Sequence, residues 1–418
     1  MGLIERNNHT ISIAGDYPDQ SLHYLLAQIH HAIVKKEYQD IILDFDKCTS
    51  AFPGSMLATC AQIMNYRKAG IGINTILPNK KELSKLFMNA NWAHLLDPGK
   101  YESSTFRGYT QVPATQYTNP KEQHEAVNRI VNAILGAVPD IERSSFAAFE
   151  WSINEIADNV LTHAESPIGG LIQLSTFQRT KKIVQFIVAD CGKTIPQTLR
   201  ETHSEFGSDT DALDKAIREG VTRDKSIGQG NGLFGSFQIC SHCNGEFRVE
   251  SRHGCLRYTG ENGLHIKYEK IPYDGTVVIS SIDFSRPDLL EEALQFGGKR
   301  YTPIDYVELK YENSNNENLI FVMKDESSSF GSRPAGTPVR NKLNNLNSMT
   351  DNNKIYVDFI DIPIISSSFA DEVFGKLFAE IGPLGFGQRF EFMNISQTVR
   401  QLIDKAIAQR MAVSYDKK

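Results

Sequence analysis

Polar and apolar residues alternate through HTISIAG at 9–15, the two-residue period of a half-buried strand. An amphipathic run from Gln20 to Lys35 follows, then IILDFDKC at 41–48, whose branched and aromatic residues suit a buried strand. SMLATCAQIMNYRKAG at 55–70 reads as a helix, INTILP at 73–78 as a strand and KKELSKLFMNANWAHLL at 80–96 as a further helix. This alternation predicts a small α/β domain over residues 1–105 with a mostly parallel sheet. The Thr-, Tyr-, Gln- and Pro-rich stretch at 98–120 reads as a connection or an irregular edge.

The pattern changes after residue 120. KEQHEAVNRIVNAILG at 121–136 is helical, and so is FAAFEWSINEIADNVLTHA at 146–164, where Phe149, Ile153, Ile156, Val160 and His163 recur at helical spacing. GGLIQLSTF at 169–177 and KKIVQFIVADCG at 181–192 read as neighbouring strands, with GTVVISSI at 275–282 as a closing strand. Between them, TDALDKAIREG leads through a flexible segment to G-Q-G-N-G at 228–232 and an apolar helix. Residues 286–350 read as a connecting region: PDLLEEALQFGG as a helix, YVELKYE and NLIFVMK as a hairpin, and 325–353 as a linker with a short helix at VRNKLNNLN. From 351 to 418 the α/β alternation returns, with a strand ending at Asp358, a loop carrying Ser366, Ser367 and Ser368, and a helix from about Phe369. IILDFDKCTSAFPGSMLATC and IYVDFIDIPIISSSFADEVF align by strand, aspartate, loop and helix, so an internal duplication of fold is expected.

Composition narrows the partners. The 418 residues include 44 basic and 50 acidic side chains, a net charge of −6, which gives no general attraction to nucleic acid or anionic membranes. No secretory leader or long apolar run is evident, and six cysteines in so long a chain do not suggest a disulfide framework. A cytoplasmic protein is expected. Cys240 and Cys243, with His242, His253 and Cys255 nearby, offer ligand types that zinc uses, but their place on an apolar helix favours buried packing thiols.

Candidate chemistry lies in the middle segment. Glu155 and Asn159 are four residues apart on one helix, so their side chains stand one above the other. Glu155 offers a general base, and Asn159 a neutral oxygen that suits Mg²⁺. Asp190 ends a strand beside Gly192, where a carboxylate can accept a hydrogen bond from an exocyclic amine. The glycines at 228, 230 and 232 precede a helix whose first amides can face phosphate.

In this order the motifs resemble the GHKL family (gyrase, Hsp90, histidine kinase, MutL). NEIADNVLTHA at 154–164 is similar to its N-box, DCGKT at 190–194 to its first glycine box and GQGNGL at 228–233 to its second. The resemblance implies an ATP-binding domain over about 120–285, an α/β sandwich with helices on one face of a mixed sheet. It implies Glu155 as catalytic base, Asn159 as Mg²⁺ ligand, Asp190 as adenine contact, Gly192 in the base pocket, and Gly228, Gly230 and Gly232 as lid glycines. Thr222 resembles a lid residue less closely. Thr194 replaces the second glycine of the usual D-x-G-x-G, and its hydroxyl is available for phosphate or water.

The two outer regions, 1–105 and 351–418, resemble STAS-like α/β domains, which makes the chain an α/β and α+β multidomain protein. The implied function is an ATP-binding regulator that hydrolyses Mg²⁺-ATP to switch interdomain or partner interactions. Alternatives are an anti-sigma-type serine protein kinase, for which Ser55, Ser367 and Ser368 stand near the relevant helix starts, and a non-catalytic ATP sensor. A regulatory protein partner is expected, and a homodimer stays open. His124 on the 121–136 helix is read as an exposed helical histidine rather than a phosphoacceptor.

Overall fold

The computed structural model describes the chain apart from residues 1, 107–110, 177–181, 204, 219, 222–230, 244, 286–292, 297, 302, 304, 314–317, 351–352 and 416–418. It divides into two compact units, Met1–Ile130 with Ala148–Thr302, and Val131–Ala147 with Pro303–Lys418. Among the described residues no helix is long and apolar enough to cross a membrane.

The first unit opens with β1 (Leu3–Asn7), β2 (Thr10–Tyr17), α1 (Leu22–His30), β3 (Asp40–Asp44), β4 (Cys48–Ala51), α2 (Pro53–Lys68) and β5 (Gly72–Ile76). Its sheet runs β1-β2-β3-β5, with β4 beside β2; only the β1–β2 pair is antiparallel. The mostly parallel sheet expected from the alternation is therefore present. The single helix expected at 80–96 is two, α3 (Lys81–Asn89) and α4 (Trp92–Leu96). Asn91 breaks it in a left-handed conformation (φ 67°), which asparagine tolerates better than most residues. Its amide donates to the Ala114 carbonyl at 2.9 Å and accepts from the Ser104 N–H at 2.8 Å.

The stretch expected to connect at 98–120 holds β6 (Gln111–Tyr117), the edge of a second sheet. This sheet continues through β7 (Gly170–Thr176), β8 (Ile183–Asp190), β10 (Gly263–Asp283) and β9 (Glu246–Thr259) in the order β6-β7-β8-β10-β9. Every described ladder in it is antiparallel, which corrects the mixed sheet expected here. Its chain connections are filled by α5 (Pro120–Ala137), α6 (Arg143–Asn159), α7 (Ile195–Arg200), α8 (Asp209–Ala216) and α9 (Gly232–His242).

Strand β8 reads IVQFIVAD because both of its faces are buried. Ile187 and Ala189 join Leu171, Val277 and Ile279 in one core with Leu25, Met56, Leu57 and Ile63 of α1 and α2. On the alternate positions Phe186 meets Phe149 of α6 edge-on, ring centroids 5.5 Å apart. Polar bonds fix the first layer to the sheet. Gln62 donates to the Asp274 carbonyl at 2.8 Å, Trp92 Nε1 to Gln173 Oε1 at 2.8 Å, and His23 Nε2 lies 2.7 Å from Glu250 Oε2. A Cβ on Gly54 at the start of α2 would stand 2.5 Å from the end of the Ile279 side chain and 2.8 Å from the Asp19 carboxylate, so the helix start passes close to both. A two-stranded hairpin, β11 (Gln295–Phe296) and β12 (Lys299–Arg300), completes this unit.

The second unit contains α10 (Tyr306–Lys310), β13 (Leu319–Val322), α11 (Met323–Glu326), α12 (Arg333–Met349), β14 (Ile355–Asp358) and β15 (Phe390–Met393). Helical turns fill Ser367–Ile381 and Pro383–Arg389, and the helix Gln397–Tyr415 ends the described chain. Its sheet is β13-β14-β15, parallel throughout. YVELK is a helix and not half of a hairpin, because Asp305 caps it by accepting from the Glu308 N–H at 2.9 Å. The expected linker is largely α12, whose apolar positions Val339, Leu343 and Leu346 are fully buried. The helix expected at 287–298 falls mostly outside the described residues.

The two parallel sheets share a local device. Asp44 at the end of β3 accepts from the Asp46 N–H at 3.0 Å, and Asp358 at the end of β14 accepts from the Ile360 N–H at 2.9 Å. The carboxylate turns the chain at the same place after each central strand.

Candidate functional site

Helix α6 supplies the floor of a cavity in the first unit. Its apolar stripe faces the sheet, which leaves Trp151, Glu155 and Asn159, each four residues apart, on one side wall. The helix closes in a wide turn, Val160–Ala164, followed by Glu165 in a left-handed conformation (φ 49°). Tyr117 of β6 anchors this end by donating to the Ala157 carbonyl at 3.0 Å.

The cavity has a volume of about 430 Å³. Glu155, Asn159, Asp190 and Gly232 all line it, together with Asp158, Thr162 and His163, Val188 of β8, and Thr276 and Val278 of β10. Residues as far apart in sequence as Glu155 and Val278 thus share one cavity. Phe296 and Tyr301 close the side next to Trp151, with centroid distances of 5.9 and 6.2 Å to the indole.

Asp190 is 3% exposed at the end of β8. Burial pushes its carboxyl up to about 7, although the N–H groups of Gly192 (2.7 Å) and Thr276 both donate to it and act the other way. Gly275 permits this geometry: at φ 124°, a Cβ there would stand 2.2 Å from the Asp190 carbonyl oxygen. Glu155 is half-buried, and burial followed by the nearby Asp158 charge raises its carboxyl above the ordinary range. A Cβ on Gly232 would stand 2.6 Å from Glu155 Oε2, so the start of α9 passes directly over the carboxylate. Asn231 does not cap that helix; its side chain accepts from the Gly220 N–H at 3.2 Å. The first amides of α9 therefore lack a side-chain cap at the cavity wall.

Two of the expected residues stand behind the wall. Gly192 lets the β8–α7 turn pass against the end of α6, where a Cβ would come within 2.0 Å of the Ala164 oxygen. Thr194 is 4% exposed and forms a capping box with Gln197, accepting from its N–H at 3.3 Å and donating to its side-chain oxygen at 2.9 Å. The hydroxyl expected to meet phosphate or water is thus engaged in starting α7. Gly228, Gly230 and Thr222 lie outside the described residues.

Sequence reasoning missed Trp151, Thr276 and the Phe296–Tyr301 wall. Trp151 carried a signal, being one turn before Glu155 on the same face. Phe296 and Tyr301 carried none, since a short hairpin alone brings them there.

Among the described residues no group of three or more His, Cys, Asp or Glu is arranged to hold a metal ion. Cys240 is fully buried and contacts Ser280 Oγ at 3.0 Å and the Ser281 carbonyl at 3.2 Å, while burial pushes the Cys243 thiol up to about 11. Ser55 is fully buried, its N–H donating to Asp19 at 2.7 Å and its hydroxyl to the Phe52 carbonyl at 3.1 Å. Ser367 is exposed at a helix start, and Ser366 beside it is the cap.

No curated protein matches the chain. Residues 335–400 match the family model described as a STAS-like domain of unknown function (DUF4325). The match spans α12, β14, β15 and the helical turns between them, so a STAS-like domain is present near the C-terminus.

Proposed function

We propose that the first unit binds Mg²⁺-ATP in the GHKL manner and hydrolyses it to regulate interactions of the protein with a partner. The observation that carries this reading is the convergence of Glu155, Asn159, Asp190 and Gly232 on one cavity of about 430 Å³. That volume lies within the range of about 300–1,000 Å³ for small-molecule sites. Asp190 and the Thr276 corner would receive the adenine, the amine donating to the carboxylate. The uncapped start of α9 and the glycines before it would receive the phosphates. Mg²⁺, when bound, would supply neutralisation of the phosphate charge. Asn159 lies one helical turn from Glu155 and would offer its carbonyl oxygen to the ion. Glu155, raised by burial, would hold the proton of an attacking water.

The first unit's N-terminal layer, 1–105, we read as a second STAS-like domain. Its support is the parallel β2-β3-β5 order and the aspartate turn shared with β14.

A second reading, serine phosphotransfer, is favoured by exposure at one position. Ser367 is open at a helix start, whereas Ser55 is buried and hydrogen-bonded.

Incubation with γ-labelled ATP and Mg²⁺ separates these readings. Hydrolysis gives free phosphate that Glu155→Ala abolishes while ATP remains bound, and phosphotransfer gives labelled protein that Ser367→Ala loses. Binding without either product makes the protein a sensor. If Asp190→Asn leaves ATP affinity unchanged, the adenine assignment fails.

A further inference from the structure

A cleft in the second unit carries a charge pattern that the nucleotide reading does not use. Arg333 enters it from the start of α12, Ser367 and Ser368 from the next helix start, and Lys405 and Arg410 from the C-terminal helix. Its volume is about 390 Å³. The one carboxylate in it, Asp371, is engaged by both arginines: Arg410 donates to it at 2.7 and 2.8 Å, and Arg333 lies 2.7 Å away. Arg333 also lies 3.7 Å from Glu372, which does not line the cleft and is itself shared with Arg340 and Lys376. Two arginines and a lysine against one lining carboxylate leave the cleft positive. Lys405 is exposed and has no carboxylate within ion-pair distance among the described residues.

From this geometry we infer that the cleft binds a phosphate monoester with a small organic body. The donors come from three separate elements and converge from different directions, which suits the tetrahedral set of phosphate oxygens better than a planar carboxylate. Ser367 adds a hydroxyl that can donate to the same anion. Leu402 and Ala406 form an apolar wall that a bare phosphate would not need and an organic group would cover. The volume likewise exceeds what one phosphoryl group fills, since a water takes about 30 Å³. Arg333 and Arg410, held by Asp371, are already oriented toward the cleft.

Two probes, inorganic phosphate and glycerol phosphate, titrated calorimetrically into the full-length protein without ATP, test the assignment at constant ionic strength. Glycerol phosphate is expected to bind more tightly than inorganic phosphate. Lys405→Glu is expected to weaken it by about tenfold or more, the loss of one charge-assisted hydrogen bond. Ser367→Asp, which puts a carboxylate at the cleft mouth, should abolish binding, whereas Lys121→Glu, the same charge change at an exposed position of α5, should leave it unchanged. Thermal melts show whether each variant is folded. Absence of binding to the wild-type protein, or binding indifferent to both cleft variants, overturns the inference. So does an intact mass showing Ser367 itself phosphorylated, because the phosphate recognised there would be covalent.

Discussion

Asp190 is the residue whose environment departs furthest from what its type prefers at the candidate site. A carboxylate that is 3% exposed and held near 7, against an ordinary 3.8, favours its protonated form in the folded protein. The stability this gives is complete below about pH 4 and is lost as pH rises through 7. Asp190→Asn is neutral throughout, so between pH 4 and 8 the melting temperature of the wild-type protein should fall relative to that of the variant. The difference corresponds to at most about 4 kcal/mol. Parallel melting curves for the two proteins would sink the assignment. Glu155 and Asn159 were legible in the sequence because an i,i+4 pair needs only a helix to be placed. The state of Asp190 was not, because its burial depends on Gly275 and Thr276, more than 80 residues away. Thr194 shows the converse: its departure from the glycine pattern was readable, but its capping role depends on Gln197 and the start of α7.

Among elements, β8 shows most clearly what sequence can and cannot give. KKIVQFIVADCG was legible as a strand beside β7, and it is one; the burial of both its faces is what the structure adds. Which layers cover it was not written in that run. One face packs with residues of α1 and α2, more than 100 residues earlier, and on the other Phe186 meets Phe149 of α6. The wide last turn of α6 and the break at Asn91 also left no trace in the hydrophobic pattern, since both depend on tertiary hydrogen bonds.

The same junction contains a polar group whose removal should be felt. Burial alone would raise the Glu250 carboxyl, but Arg248 beside it and His23 hold it down at about 2. Arg248 Nε donates to Glu250 at 2.7 Å, and both residues are buried. Glu250→Gln leaves the guanidinium without its counter-charge and is expected to cost about 3–5 kcal/mol in denaturant unfolding. Arg248→Met combined with Glu250→Gln should recover much of that loss. A double variant no more stable than the single one would show that the pair contributes through its own attraction. Because the carboxyl is lowered, its contribution is present above pH 4.5 and is lost as pH falls toward 2.

For the whole molecule, the domain order expected from the sequence was linear, and the two compact units are not. Val131–Ala147 belongs with Pro303–Lys418, although the first unit's chain surrounds it on both sides. Buried Asn345 makes the dependence specific. Its amide donates to the carbonyls of Leu135 and Val138 at 2.8 Å each, and its oxygen accepts from the Ile141 N–H at 3.2 Å. Arg143 binds Asp305 at 2.6 Å and Glu312 at 2.8 Å. A fragment of residues 303–418 should therefore be poorly folded, and one joining 131–147 to 303–418 through a flexible linker should regain cooperative melting. Equal melting of the two would contradict the division. Periodicity marks helices one at a time and carries no statement of which remote segment each will bury, so this interleaving was invisible in the sequence.

The interleaving also orders events in time. During synthesis, Ile134, Leu135, Val138 and Phe146, all fully buried in the finished fold, leave the ribosome well before Pro303 is added. At about 5–20 residues per second, they wait on the order of ten seconds for the chain that completes their unit. During that interval the helical pair is an apolar surface with its partner still unmade, and a chaperone that shields it would act on a nascent segment rather than on a misfolded protein.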